Sequence, residues 1–296
     1  MTPPSRRRRW RRRVVVLAAA ALLVVLPASG LLWPALPGRS GGATAGPADG
    51  PRPAPAPDPL VEDVPADQRP LLVVAPDAGG ALTTSTVATS GDLPATVPET
   101  AVLLLHGYTS SAAGVADRLQ AEALAAALDA VVVAPTGLGA RTSWDAGGCC
   151  GSAARSGVDD VGFLRHLLVR LRARGAERAY VVGYSNGGML AYRLACEHPD
   201  DVDAIAVVNG SITVPRCPGA FTALHLAGAD DAAVPVDGAE RVPYLFTGFP
   251  ALEDLRTIAP AADLDLRVLP DVGHEVAPQV PATIRAWLRT APTAPS

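Results

Sequence analysis

Beyond about residue 70, short unbroken apolar runs alternate with longer stretches whose apolar positions recur at helical spacing. Ala101–Leu105, Ala130–Ala134, Tyr180–Gly183, Ala204–Val208 and Leu224–Ala227 are of the first kind. A strand covered on both faces needs such continuous runs, because neither face can be polar. A further apolar strand is predicted around Leu266–Leu269. Between these runs, Ala112–Leu128, Val158–Arg174 and Asn186–Glu197 read as helices, and Ile284–Leu288 sits in a last one. Strands alternating with helices build βαβ units, so the pattern predicts an α/β domain with a mostly parallel sheet and helices on both faces. Sites in open sheets of this kind form beyond the carboxyl ends of the strands.

The first third of the chain has a different pattern. Val14 to Gly38 carries no charge and follows seven arginines between Arg6 and Arg13. A basic flank followed by an apolar stretch predicts export, with the remainder of the chain outside the cytoplasm. Residues 1–38 are therefore read as a signal peptide or a signal anchor. Small residues at Ala28-Ser29-Gly30 and Ala43-Thr44-Ala45 offer cleavage positions, and the uncut segment is long enough to serve as a membrane tether. Residues 39–70 are rich in Pro, Ala and Gly and form a linker, and residues 71–292 form the catalytic domain. Outside the arginine cluster, 18 basic residues face 29 acidic ones. That body has little to offer phosphates, which excludes a nucleic-acid partner. No glycine-rich phosphate loop or dinucleotide fingerprint follows the first strand, and the cysteines and histidines lack metal-ligand spacing, so neither a cofactor nor a metal is expected.

Gly183-Tyr184-Ser185-Asn186-Gly187 matches G-x-S-x-G, between the strand AYVVGY and the helix NGGMLAYRLACE. A serine on so sharp a strand-to-helix turn presents its hydroxyl at the top of the sheet, where it can act as a nucleophile. The plainer alternative is a serine that merely caps the helix. A nucleophilic serine needs a base and an acid to orient it. Of the five histidines, His106 ends a strand, His166 lies within a helix, His198 sits at a helix end, and His225 lies inside an apolar strand. His274 follows the strand around Leu266–Leu269 in a turn, where the base belongs in the chain order Ser, acid, His. The acid then comes after Leu224–Ala227, where both Asp230 and Asp231 stand. The backbone N–H groups of Asn186 and Tyr108 are the candidate oxyanion donors, the latter in the His106-Gly107-Tyr108 loop after Ala101–Leu105.

The series LLLHGYTSS, TSWDAGGCCG, GVDDVGFLRHLL, GYSNGGMLAYRLACE, GADDAAVP and GH resembles the polyhydroxybutyrate depolymerase-like esterases, a family related to feruloyl and acetylxylan esterases. The resemblance runs from Leu103 to His274. It implies the α/β-hydrolase fold, with Ser185 as nucleophile, His274 as base and Asp231 as acid, four residues before Pro235. It also implies that Asp159 and Asp160 are structural, at the start of a helix. Residues 71–100 depart from the family pattern, no tryptophan follows His274 closely, and aromatic residues make up only 4% of the chain. The expected activity is hydrolysis of small or oligomeric carboxylic esters. The competing reading is a catalytically silent hydrolase-fold module displayed at the cell surface for binding.

Four cysteines in an oxidising compartment should pair. Cys196 lies eleven residues beyond Ser185, about 16 Å down the helix, at the end of the domain remote from the site. Cys217 precedes the next strand at that same end, so a Cys196–Cys217 disulfide is expected. Cys149 and Cys150 are left to pair with each other or to stay reduced.

Overall fold

The computed structural model describes residues 68–77, 79–242 and 247–291. The expected export segment and nearly all of the expected linker lie outside the described residues. Among the described residues, no helix is long and apolar enough to cross a membrane.

Eight strands form one sheet: β1 (Leu71–Pro76), β2 (Leu82–Val87), β3 (Thr100–Leu105), β4 (Ala130–Pro135), β5 (Arg178–Tyr184), β6 (Ala204–Val208), β7 (Thr222–Gly228) and, after a small hairpin of β8 (Ala239–Val242) and β9 (Thr247–Phe249), β10 (Asp263–Leu269). Their order is β10-β7-β6-β5-β3-β4-β1-β2. From β10 across to β4 every pair is parallel, whereas β1 runs antiparallel to both β4 and β2. The predicted α/β architecture is thus present, with an antiparallel edge of two strands added to it.

The continuous apolar runs have a direct explanation. In β3, Val102 and Leu104 pack with Val115 of α1 (Ala112–Arg118), Leu124 of α2 (Ala121–Leu128) and Ile284 of α7 (Val280–Leu288). Leu103 and Leu105 point the other way, into a cluster with Leu167 of α4 (Asp160–Arg172) and Leu190 of α5 (Asn186–Glu197). Successive side chains alternate between two cores, so no position from Ala101 to Leu105 is free to be polar. Two shorter helices, α3 (Gly151–Ser156) and α6 (Leu255–Ile258), lie in the connections.

Two sequence expectations need correction. Ala112–Leu128 is two helices rather than one, because Gln120 takes a left-handed conformation (φ 54°) between them. The turn lets Leu119 on one side and Leu124 on the other both reach the core, while the Gln120 side chain accepts a hydrogen bond from Arg285 of α7. The linker also ends earlier than read. Arg69 is buried, pairs with the buried Asp160 at the start of α4, and stacks its guanidinium 4.2 Å from the centre of the Phe163 ring. A charge taken out of water must be paired, so this arginine is part of the domain. Burial pushes the Asp160 carboxyl up, opposed by Arg69 and by the Asp145 N–H that it accepts at 2.6 Å. Asp159 caps α4 by accepting from the Gly162 N–H at 2.8 Å, so both aspartates hold structure as the resemblance implied.

Strand order reverses between β3 and β5: the chain runs on from β5 toward β10 on one side, and from β3 to β4 on the other. The crevice at that reversal receives the loop after β3 and the turn after β5.

Candidate active site

Ser185 occupies the turn between β5 and α5 with φ 54° and ψ −121°, a conformation costly for a residue with a side chain. The turn closes tightly enough that a Cβ at Gly183 would fall on the Gly187 carbonyl, and one at Gly187 on the Leu105 carbonyl. Glycine is therefore required on both sides of the serine. The Ser185 N–H donates to the Val208 carbonyl at 2.8 Å, tying the turn to β6. Its hydroxyl makes no capping bond to α5 and lies 2.9 Å from His274 Nε2 instead. The helix-cap reading of this serine is thereby excluded.

His274 sits in the loop between β10 and α7. Its Nδ1 is 2.7 Å from Asp231 Oδ2. A carboxylate at that nitrogen fixes the tautomer with the proton on Nδ1, which leaves the Nε2 lone pair facing the serine hydroxyl. The pair Asp230/Asp231 is resolved by burial. Asp231 is buried, whereas Asp230 is exposed in the same turn. The second carboxylate oxygen of Asp231 accepts the N–H groups of Ala233 (2.7 Å) and Val234 (2.8 Å), so the group has no freedom to turn away.

The backbone around this line is held by residues that spacing did not reveal. Asn209, buried directly after β6, donates through Nδ2 to the carbonyls of Gly273 (3.1 Å) and Glu275 (2.9 Å), clamping His274 between them. Its Oδ1 accepts the Gly228 N–H at 2.9 Å, joining the histidine loop to the end of β7. From the other side, the Tyr184 hydroxyl donates to the His274 carbonyl at 2.7 Å. Burial, chiefly, pushes the Tyr184 phenol up, so it stays a donor.

The loop after β3 lies against the serine turn. Tyr108 lines the pocket beside Ser185, and Asn186 follows Ser185 as the first residue of α5. No hydrogen bond to a protein acceptor occupies either backbone N–H among the described residues. The buried His106 pins this loop: Nδ1 donates to the Gly107 carbonyl at 2.8 Å, and Nε2 accepts the Gly137 N–H at 2.9 Å. Burial lowers its pKa, which keeps the ring neutral and able to do both. Asn186 also works through its side chain, accepting the Trp144 N–H at 2.8 Å and donating to the Trp144 carbonyl at 3.1 Å. The Trp144 indole N–H in turn donates to the His106 carbonyl at 2.9 Å. The TSWD segment is thus a brace between the two loops that present the candidate oxyanion donors.

Two of the remaining histidines, His225 and His166, have other partners. His225 is buried in β7, 2.9 Å from the Tyr192 hydroxyl, and burial lowers its pKa to about 4. His166 pairs with Ser90 at 3.1 Å. Cys196 and Cys217 form a disulfide at the far end of α5, as expected, and Cys149 is paired with Cys150. Among the described residues, no three His, Cys, Asp or Glu side chains gather as a metal site.

Beside Ser185 opens a pocket of about 300 Å³, whose side chains come from Tyr108, Thr109, Ser110, Arg118, Tyr184 and Ala233. A larger groove of about 460 Å³ runs along α1, α2 and β1, away from Ser185 and His274.

Residues 100–252 match the alpha/beta hydrolase fold family. A protein carrying the name of an esterase, NocK of Nocardia uniformis, is 33% identical over 149 residues, which cover 48% of this chain and 42% of that protein. One named as feruloyl esterase C of Aspergillus niger is 26% identical over 127 residues, covering 40% of this chain and 42% of its own. The chain thus spans less than half the length of these relatives. Among solved structures, that of esterase PE8 aligns with a TM-score of 0.48 at 23% identity, covering 66% of this chain and 93% of the other.

Proposed function

The chain belongs to the alpha/beta hydrolase fold family, and from that premise we propose that it is an exported serine esterase in which Ser185, His274 and Asp231 act as one unit. The observation that carries the proposal is the unbroken line from Asp231 through His274 to Ser185, at 2.7 and 2.9 Å. His274 Nε2 takes the serine proton as Oγ attacks the ester carbonyl carbon. The oxyanion that forms is received by the N–H groups of Tyr108 and Asn186. Collapse breaks the ester bond, and the imidazolium returns its proton to the departing alkoxide, releasing the alcohol. Water, deprotonated by His274, then attacks the acyl-serine, and the carboxylic acid leaves with Ser185 restored. Asp231 holds the useful tautomer and stabilises the imidazolium.

The pocket supports a compact acyl or alcohol group over a long alkyl chain: its volume is about 300 Å³, and five of its lining residues carry hydroxyls, two of which, Tyr108 and Tyr184, also present aromatic surface. That suits hydroxyalkanoate esters of the polyhydroxybutyrate type, as well as acetyl and feruloyl esters. The similarity to proteins named as esterases, one of them a feruloyl esterase, supports the same range. The arginine cluster and the apolar stretch behind it support action outside the cytoplasmic membrane, secreted or tethered.

A fluorophosphonate probe should label Ser185 stoichiometrically, and p-nitrophenyl acetate and hydroxybutyrate dimers should be hydrolysed. Ser185→Ala and His274→Ala should abolish turnover, and Asp231→Asn should cost several orders of magnitude. Asp230→Asn should leave activity near that of the parent. A folded chain that neither labels nor hydrolyses any ester in a broad panel would instead be a silent binding module.

A further inference from the structure

Arg118 stands out in the ester pocket. It comes from the last turn of α1, and its guanidinium carbon lies 5.8 Å from the centre of the Tyr184 ring, the residue directly before the nucleophile. The guanidinium stands over the ring face at the outer reach of a cation–π attraction, and the residue lines the pocket. No salt bridge to Arg118 forms among the described residues. No Asp or Glu lines the pocket, and Arg118 is its one permanently charged lining residue. Arg69, Arg165, Arg172, Arg193 and Arg267 each have an acidic partner; Arg118 has none, and its place in the pocket sets it apart from the other arginines without one. An unpaired cation beside hydroxyl groups, on an otherwise acidic domain, is a local attractor for an anion.

We infer that Arg118 forms an anion-recognising wall of the pocket, so that the preferred esters carry a carboxylate on the group lying beside Tyr184. This rests on the esterase reading of Ser185 and names its substrate class: half-esters of dicarboxylic acids, or esters of hydroxy acids with a free carboxyl end. Hydroxyls of Tyr108, Thr109 and Ser110 on the same pocket wall can donate to the carboxylate that the guanidinium attracts. Exposure of the arginine sets the size of the effect. A pair that water still reaches gives about a fivefold preference, and one that salt weakens.

The test uses the full chain with two pairs of chromogenic or ultraviolet-detected esters. p-Nitrophenyl hydrogen adipate against its distal methyl ester places the charge on the acyl side. 4-Acetoxybenzoate against methyl 4-acetoxybenzoate places it on the alcohol side. In at least one pair the ratio of kcat/KM, charged over neutral, should exceed one and fall about fivefold in Arg118→Gln. Arg118→Lys should restore part of it, Arg118→Glu should push it below the Arg118→Gln value, and added salt should narrow it in the parent only. A ratio that changes less than twofold across these variants for both pairs overturns the inference while leaving the esterase reading intact. Should the parent hydrolyse none of the four esters, nor any other ester of a broad panel, and fail to label with the fluorophosphonate, the esterase reading fails. Calorimetry of monomethyl adipate binding to the Ser185→Ala chain then decides the anion wall alone: binding weakened by the added Arg118→Gln substitution upholds it, and equal binding refutes it.

Discussion

Replacing Asn209 by alanine separates positioning from stability at this site. Asn209 is buried and makes three hydrogen bonds: to the carbonyls of Gly273 and Glu275, and from the N–H of Gly228. Alanine removes all three partners at once. The buried Gly228 N–H is left without an acceptor, at a cost of about 1–3 kcal/mol. The two carbonyls belong to a loop that water can reach, so their loss adds roughly 1 kcal/mol, for a total of about 2–4 kcal/mol. The two carbonyls bracket His274, whose Nε2 must stay 2.9 Å from the serine hydroxyl. A displacement of about 1 Å there costs on the order of a hundredfold in rate. Urea denaturation measures the first quantity. The second is read as kcat for p-nitrophenyl acetate, together with the rate of fluorophosphonate labelling of Ser185, under conditions where the variant is fully folded. If Asn209→Ala is destabilised as stated but labels and turns over at the parent rate, Tyr184 and Asp231 suffice to place the histidine and the positioning argument is wrong.

Two further predictions concern stability. His225 is held neutral in the fold, with its pKa lowered to about 4 against 6.5 unfolded, so between those values the unfolded chain binds the extra proton. Its contribution is complete above pH 6.5 and is lost as pH falls toward 4, by about 3 kcal/mol in all. Urea melts of the parent and of His225→Gln should therefore converge as pH falls through that window, and a gap independent of pH would contradict the assignment. The Cys196–Cys217 disulfide closes a loop with a sequence separation of 21 residues, which implies about 3 kcal/mol from the restricted unfolded chain. Replacing both cysteines by alanine should lower stability by roughly that amount with kcat unchanged, while non-reducing peptide maps that join Cys196 to Cys149 or Cys150 would refute the pairing.

Much of the sheet was legible because its strands are covered on both faces, which leaves runs such as Ala101–Leu105 and Ala204–Val208 with no polar position. The strand β2 was not legible for the opposite reason. Its sequence LTTSTV lies at the sheet edge almost wholly in water, so no apolar pattern marks it. The break at Gln120 was hidden as well, since neither glycine nor proline stands there and the left-handed turn is chosen by the packing of α1, α2 and α7.

The elbow at Ser185 is determined by neighbouring residues: an apolar strand, glycines where a Cβ would strike the backbone, and an apolar helix face. Such local constraints act through excluded volume over a few residues, and the sequence carries them whole. The order Ser185, Asp231, His274 along the chain likewise follows from where the strands end. Which aspartate meets the histidine is another matter, because Asp230 and Asp231 differ only in the side of a turn from which each projects, and that is decided by the amides of Ala233 and Val234. The same holds for Arg69 with Asp160, His106 with Gly137, and Asn209 with Gly273, separated by 91, 31 and 64 residues. A buried polar group must find a partner, but its own sequence says nothing of where that partner lies. Only the lateral order of the strands, which brings distant loops to one crevice, selects among the candidates.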